Sequence, residues 1–265
     1  MKKSRDTDYL FLSSYLHAKE GRSSGEGKAA FYRELSALVP DPTILDFFRI
    51  KYDYHNAKVL IKSAALHENH SSLYSPLGRY SVEQLEKLLR EGKNFVLSER
   101  FVSAFREAVD TLARTADPRL AEFRLDAAFL KELSETAEQS GSPLLMKYAA
   151  MYIDAANLGA LARMLKSGVD AAMLAEILSS GGSVSTAAIR KAYPDAVSVF
   201  ALFGRSGFEA VLPLAEQAAR GEARCSELER QCRAVIRSVM TPAIPEGFGE
   251  NVLIRYLYRM EEPGA

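Results

Sequence analysis

Two sets of polar residues with the same spacing interrupt long apolar stretches of the sequence. The sets are Asp53, Asn56 and Lys62, and Asp154, Asn157 and Arg163. Within each set the asparagine follows the aspartate by three residues, so both side chains share one helical face and can bond together to a neighbouring helix. The basic residue comes nine positions after the aspartate, about 180° around the helix, and can join the cluster only by bridging helices.

The repetition of these residues limits the chemistry that they can perform. Aspartate and asparagine compete for backbone groups in the middle of a helix, so a tertiary partner must compensate. We therefore interpret each set as a buried, hydrogen-bonded polar clamp that fixes helix register. A ligand-binding or partner-binding surface is the alternative. An active site is the least favoured interpretation, since catalysis rarely needs two equivalent copies 101 residues apart.

Three other segments suggest binding chemistry but fail on spacing or context. His67 and His70 flank a carboxylate as in half of a metal site, but no third ligand is near, and a solvated helix end explains them better. Residues 21–28 (GRSSGEGK) depart from the spacing of a phosphate-binding loop and predict a flexible loop. Residues 247–249 (GFG) predict a hinge before the last helix rather than a cofactor-binding loop.

The composition excludes several classes of function. Lys and Arg together number 34, as do Asp and Glu, so no net charge draws the chain to nucleic acid or to an anionic membrane. No apolar run reaches the roughly 18 residues of a membrane span, and the N-terminus does not resemble a signal peptide. Cys225 and Cys232 lie about 10.5 Å apart along a predicted helix, too far for a disulfide. We expect a cytoplasmic protein with no catalytic residue, cofactor or metal, attached to any membrane through another protein.

The elements that position the two polar sets are predicted to be helices. A capping residue followed by proline opens an apolar periodic stretch at Asp41-Pro42, Asp117-Pro118 and Ser142-Pro143. Further helix starts are predicted at Asp6, Ser81, Ser98, Asp170 and Ser185, and helix ends at Gly21, Gly92, Gly141, Gly168 and the pair Gly181-Gly182. Alternating strand patterns are scarce, so the sequence predicts an all-α fold of ten or more helices.

The chain carries an internal duplication of about 100 residues. Residues 41–62 align with residues 142–163 without a gap, and after a three-residue shift 78–81 aligns with 182–185, which we interpret as a glycine stop followed by a serine cap. The predicted domains are an N-terminal helical segment at 1–40, a first helical repeat at 41–141, a second at 142–244, and a C-terminal helix at 245–265 that packs with the N-terminal segment.

These residues resemble the C-subunit family of the V-type (V/A-type) ATPases, whose eukaryotic member is known as the d subunit. The family's K-Y-D-x-H-N-x-K pattern stands at residues 51–58, and its I-D-x-x-N-L pattern stands at 153–158 with Arg163 downstream. Residues 8–20 are similar to the family's first helix and residues 245–257 to its final helix. The resemblance thus extends over nearly the whole chain.

The resemblance implies a pseudo-threefold, funnel-like socket of duplicated helical domains on the cytoplasmic face of the membrane. Such a protein is present once per complex and does no chemistry. It couples the rotor shaft of the ATP-hydrolysing head to the membrane rotor (c/K) ring during proton or sodium transport. Buried polar clamps would keep a body with that role stiff. A soluble all-helical adaptor or scaffold with no rotary role is the alternative, and an enzyme with an unrecognised site is the third possibility.

Overall fold

The computed structural model describes residues 6–19, 27–92, 96–244 and 247–262, and every regular element in these ranges is helical. The predicted all-α fold is therefore confirmed. The chain divides into two compact units, Met1–Ser140 and Gly141–Ala265. Residues 21–26 of the predicted loop, with the helix end predicted at Gly21, lie outside the described residues, as do Pro245 and Glu246.

The first unit contains six described α-helices, preceded by a 3-10 turn at Asp6–Tyr9 where a helix start is predicted. They are α1 (Leu10–Lys19), α2 (Lys28–Ser36), α3 (Pro42–Leu66), α4 (Val82–Glu91), α5 (Glu99–Thr115) and α6 (Pro118–Ser140). Helix α6 packs against both α3 and α5. The buried cluster between them includes Ile50, Phe101, Phe105 and Leu125.

The second unit contains seven described α-helices, several of them short. They are α7 (Pro143–Ser167), α8 (Leu174–Ile177), α9 (Thr186–Ala192), α10 (Ala196–Ala201), α11 (Leu212–Ala219), α12 (Cys225–Met240) and α13 (Glu250–Glu261). Helices α11, α12 and α13 all contact α7. The predicted packing of the C-terminal helix against the N-terminal segment, like the four-part division of the chain, stays a prediction.

Proline and a capping side chain open the two longest helices. Asp41 accepts a hydrogen bond from the N–H of Thr43 at 2.9 Å, and Ser142 accepts one from the N–H of Leu145 at 3.4 Å. These bonds satisfy N–H groups that the first turn of a helix leaves without a backbone partner. Both α3 and α7 are 25 residues long. The duplicated segment therefore folds into two helices of equal length, each central to its unit.

Within the described residues, the other predicted boundaries are confirmed with one exception. Ser81 and Gln84 form the expected capping box before α4, and Gly92, Gly141 and Gly168 directly follow α4, α6 and α7. The helix end predicted at Gly181-Gly182 is wrong, because α8 ends at Ile177. Gly182 instead has a role in the second clamp. No helix among the described residues is long and apolar enough to cross a membrane.

Candidate functional site

The first polar clamp joins α3 to the segment that precedes α4. Asp53 is fully buried and accepts hydrogen bonds from the backbone N–H groups of Arg79, at 2.7 Å, and Tyr80, at 3.2 Å. The Nε–H of Arg79 donates to its second carboxylate oxygen at 2.6 Å. Asn56, also fully buried, donates from Nδ2 to the Ser75 carbonyl at 2.9 Å and accepts from the Ser75 N–H at 2.8 Å. Both side chains thus act on the loop that follows their own helix.

The second clamp repeats this geometry on α7. Asn157 donates to the Ser179 carbonyl at 2.8 Å and accepts from the Ser179 N–H at 2.9 Å. Asp154 accepts from the backbone N–H groups of Ser183, at 3.0 Å, and Val184, at 3.4 Å, and from the Ser183 hydroxyl at 2.5 Å. Asp154 and Asn157 are almost completely buried. All four predicted acid and amide side chains are therefore hydrogen-bonded inside the protein.

The partner predicted for these side chains, a neighbouring helix, is wrong in both units. The clamps hold loops, at residues 75–81 and 179–185, which both read S-x-x-G-x-x-S and stand 104 positions apart. The reason is that loops, unlike helices, have backbone N–H and C=O groups that lack a partner within the element. A helix already pairs its interior N–H and C=O groups, whereas a buried loop must obtain hydrogen bonds from side chains.

A glycine in each loop allows the backbone to approach the carboxylate. A Cβ on Gly78 would lie 2.7 Å from Oδ1 of Asp53, and a Cβ on Gly182 would lie still closer to Oδ1 of Asp154. Carbon and oxygen atoms that are not bonded to each other do not approach so closely without displacement. The two glycines, interpreted from the sequence as helix stops, are therefore part of the clamps.

The basic residues of the two sets lie outside the clamps. Lys62 pairs with Glu122 at 2.9 Å, between α3 and α6, and Arg163 pairs with Glu229, between α7 and α12. The side chains of Lys62 and Arg163 are about half exposed, at 49% and 54%. Exposed ion pairs contribute little to stability. These residues link packed helices, and they are not members of the clusters formed by the aspartate and asparagine.

The first clamp extends into a buried network that sequence reasoning misses. Arg79 also donates from Nη2 to Glu132 of α6 at 2.8 Å, and the Tyr54 hydroxyl donates to the other oxygen of Glu132 at 2.8 Å. Glu132 is 2% exposed. In the aligned loops Arg79 stands where the second copy has Ser183. That difference was the available signal, because only one of the two copies places a cation in the loop that follows its aspartate.

The two aspartates differ in their electrostatic surroundings. Burial raises the pKa of Asp53 to about 6, although the charge and hydrogen bonds of Arg79 act in the opposite direction. Burial also raises the pKa of Asp154, opposed only by hydrogen bonds from Ser183 and Val184. Burial acts to lower the pKa of Arg79, but the nearby Asp53 and Glu132 carboxylates outweigh it and raise that pKa. The Asp53 carboxylate of the first clamp is thus paired with a cation. The Asp154 carboxyl of the second clamp accepts hydrogen bonds from a hydroxyl group and from backbone N–H groups.

The metal-ligating types of side chain do not cluster in the part of the chain that the structure describes. Among the described residues, no three or more His, Cys, Asp or Glu side chains are grouped so that they could hold a metal ion. Helix α3 ends at Leu66, and His70 contacts Glu68 at 3.2 Å and Ser63 at 3.2 Å. Cys225 and Cys232 are free thiols, as predicted. What the clamp residues do in this structure is hold backbone.

The sequence of the chain is similar to those of known proteins. Residues 28–262, which include both clamps, match the sequence model of a family described as the ATP synthase (C/AC39) subunit. The C subunit of the V-type sodium ATPase of Enterococcus hirae is 26% identical to the chain over 157 residues. This alignment covers 59% of the chain and 48% of that protein, so it spans about half of the relative's length.

Proposed function

Since the chain belongs to the ATP synthase (C/AC39) subunit family, we propose that it is a non-catalytic central-stalk subunit of a V/A-type rotary ATPase. In this role it couples the rotor shaft of the ATP-hydrolysing head to the membrane rotor ring during proton or sodium transport. It is present once per complex, on the cytoplasmic face of the membrane, where the ring holds it. The pseudo-threefold, funnel-like arrangement of its helices belongs to the same proposal.

The observation that supports this role in the structure is the recurrence of one buried clamp in both units. A protein that passes torque from one partner to another must not bend under load. Each clamp ties a 25-residue helix to the loop that follows it through hydrogen bonds of buried aspartate and asparagine side chains. Such bonds are stronger than exposed ones, and breaking one leaves a buried polar group without a partner. Two copies of the clamp therefore suit a stiff connecting body.

The use of the polar side chains also supports a non-catalytic role. Asp53, Asn56, Asp154 and Asn157 use their hydrogen bonds on the protein's own backbone and on the side chains of Arg79 and Ser183. A catalytic carboxylate would instead have to present an oxygen to a substrate. We infer that these four residues keep the protein stiff, and that Lys62 and Arg163 link neighbouring helices.

Purification of the tagged chain from solubilised membranes tests the proposed assembly. We expect rotor-shaft and ring subunits of an ATPase to be recovered with it, with one copy of this chain per complex. Recovery of the chain only with soluble proteins, and with no ATPase component, would support the adaptor alternative instead.

A further inference from the structure

The loops held by the two clamps differ in how many bonds fix them. Residues 75–81 form the first loop and residues 179–185 form the second. Each loop receives hydrogen bonds from the aspartate and the asparagine of the long helix in its own unit. The first loop receives additional bonds that have no equivalent in the second, because the aligned residues differ.

Arg49 supplies the first set of additional bonds. It lies on α3 and donates from Nε to the Leu77 carbonyl at 3.1 Å and from Nη2 to the Gly78 carbonyl. At the offset of 101 residues the second unit has Ala150, which has no side-chain donor. Among the described residues, no hydrogen bond reaches the carbonyls of the aligned pair 181–182. The middle of the second loop thus lacks the bonds that fix the middle of the first.

Arg79 supplies a connection to a second helix. Its side chain bonds to Asp53 of α3 and also to Glu132 of α6, at 2.8 Å. In the aligned position the hydroxyl of Ser183 bonds to Asp154, on the helix that already holds the backbone of the second loop. In the part of the second unit that the structure describes, side-chain hydrogen bonds tie this loop to α7 alone. The first loop is therefore fixed to two helices and the second to one.

The backbones of the two loops also differ in freedom. The first loop has Pro76 and Leu77 where the second has Ser180 and Gly181. Proline restricts the conformations of an opened loop, whereas glycine increases their number. The second loop therefore gains more conformational entropy when it opens.

The helix that follows each loop begins differently. Before α4, Ser81 and Gln84 form a capping box, which fixes the end of the first loop. Before α9, Ser185 makes no side-chain hydrogen bond to the helix, and α9 is only seven residues long. A short helix without a cap frays more readily at its start. The end of the second loop is thus less firmly held.

Opening the second loop exposes little apolar surface. Ser180, Gly181 and Ser183 are already exposed, and Val184 is its one buried apolar side chain. In the first loop, by contrast, the ring of Tyr80 lies 5.2 Å from that of Phe101, between centroids, inside the unit. Loss of apolar contacts therefore opposes opening more strongly in the first loop than in the second.

We propose that the second loop opens locally, away from Asp154 and Asn157, while α7 stays folded. The first loop, by contrast, opens only when its unit unfolds. Local opening of this kind occurs where few contacts hold a segment, and each of the differences above removes contacts from the second loop or adds freedom to it. The property belongs to the fold and does not depend on the proposed function. Within the proposed coupling role, it makes the second unit the more compliant of the two.

Amide hydrogen exchange of the purified full chain, followed by NMR, tests this proposal. The probes are the N–H groups of Arg79 and Ser183, each bonded to the aspartate of its clamp. The references are Ala57 and Leu158, which are fully buried in α3 and α7. After correction for intrinsic rates, we expect Ser183 to exchange at least about tenfold faster than Leu158, and Arg79 to exchange at the rate of Ala57. Equal protection of Ser183 and Leu158, or equal loss of protection in both loops, would overturn the proposal.

A variant of the first unit tests why the loops differ. Arg49→Ala gives α3 the residue that α7 has at the aligned position. We expect exchange at Arg79 to become at least about fivefold faster relative to Ala57, since two hydrogen bonds from a charged group are lost. The ratio to Ala57 separates this effect from a general loss of stability. Arg114→Ala, which changes an exposed arginine of α5, is the control and should leave the ratio unchanged. An unchanged ratio in Arg49→Ala would overturn the proposed cause.

A variant of the second loop approaches the question from the opposite direction and does not remove a buried contact. Ser180→Pro copies Pro76 at an exposed position whose N–H donates no hydrogen bond to any residue that the structure describes. We expect exchange at Ser183 to become about two- to fivefold slower, because proline reduces the freedom of the opened loop. Ser180→Ala is the control and should match wild type. If Ser180→Pro slowed exchange no more than Ser180→Ala, the second loop would not open in the way proposed.

Discussion

The side chain of Asn157 and the backbone of Ser179 exchange two hydrogen bonds, at 2.8 and 2.9 Å, so that the amide and the peptide group satisfy each other. Asn56 and Ser75 make the same exchange in the first unit. The partners are 22 residues apart in the second unit and 19 in the first. The pairing is therefore retained although the connecting segments differ in length, which indicates that the pairing itself is the duplicated feature.

Replacing Asn157 with alanine should destabilise the second unit. The substitution leaves the buried N–H and C=O groups of Ser179 without partners, and each such group costs about 1–3 kcal/mol. We expect the free energy of unfolding to fall by about 2–4 kcal/mol, measured by denaturant unfolding. Asn69→Ala is the control, since Asn69 caps only an exposed turn at Ser71, and it should lower that free energy by less than about 1 kcal/mol. Equal effects of the two substitutions would show that the amide bonds are not what holds the loop.

The two aspartates should respond differently to replacement by asparagine. Asp53→Asn leaves Arg79, whose side chain is 14% exposed, with Glu132 as its remaining carboxylate partner, and breaking a buried ion pair costs about 3–5 kcal/mol. Asp154→Asn removes a buried charge that is held by Ser183 and Val184, so its cost should be nearer 1–2 kcal/mol, roughly that of altered hydrogen bonds. Denaturant unfolding of both variants shows which substitution lowers the free energy of unfolding more. A greater loss for Asp154→Asn would contradict the ionic description of the first clamp.

The stability contributed by Asp154 should depend on pH. Burial raises the pKa of its carboxyl above the ordinary 3.8, so the folded chain holds a proton that the unfolded chain releases. That contribution is fully present below pH 3.8 and is lost as the pH rises through the higher pKa of the folded state. We expect the free energy of unfolding of wild type, minus that of Asp154→Asn, to decrease as the pH rises above about 4. A difference that is constant or increases over this range would show that the folded-state pKa is not raised.

Two glycine-to-alanine substitutions should have opposite effects. Gly182→Ala forces a Cβ against the Asp154 carboxylate and should lower the free energy of unfolding by about 1–3 kcal/mol, as overpacking does. Gly159→Ala meets only ordinary contacts in the interior of α7 and should raise it by about 0.5–1 kcal/mol. Thermal unfolding of the two variants side by side checks the sign of each. A neutral Gly182→Ala would mean that the loop can move away from the carboxylate at little cost.

Local sequence signals were sufficient to predict the long helices and their polar residues. Proline after a capping residue marks the starts of α3 and α7, and the offset of 101 residues marks them as copies. Burial of Asp53 and Asp154 could be inferred because a helix interior offers such residues no advantage unless a tertiary partner is present. These inferences depend on residues close together in the chain.

The partners of those residues could not be predicted in the same way. Arg79 reaches Glu132 across 53 residues, and nothing in the spacing of the two indicates that α6 returns beside α3. Gly182 has the sequence context of a helix end, but the structure places it against a carboxylate. Periodicity shows which face of a helix is buried but does not show which loop covers that face.

The most direct test of the coupling role is the number of ions transported per ATP hydrolysed in sealed membrane vesicles. The vesicles are first depleted of this protein and then supplied with the purified wild-type chain or with the double variant Asn56→Ala, Asn157→Ala. We predict that depletion abolishes transport while ATP hydrolysis continues, that wild type restores the ratio, and that the double variant restores it less well. A ratio that is the same with and without the chain would contradict the account.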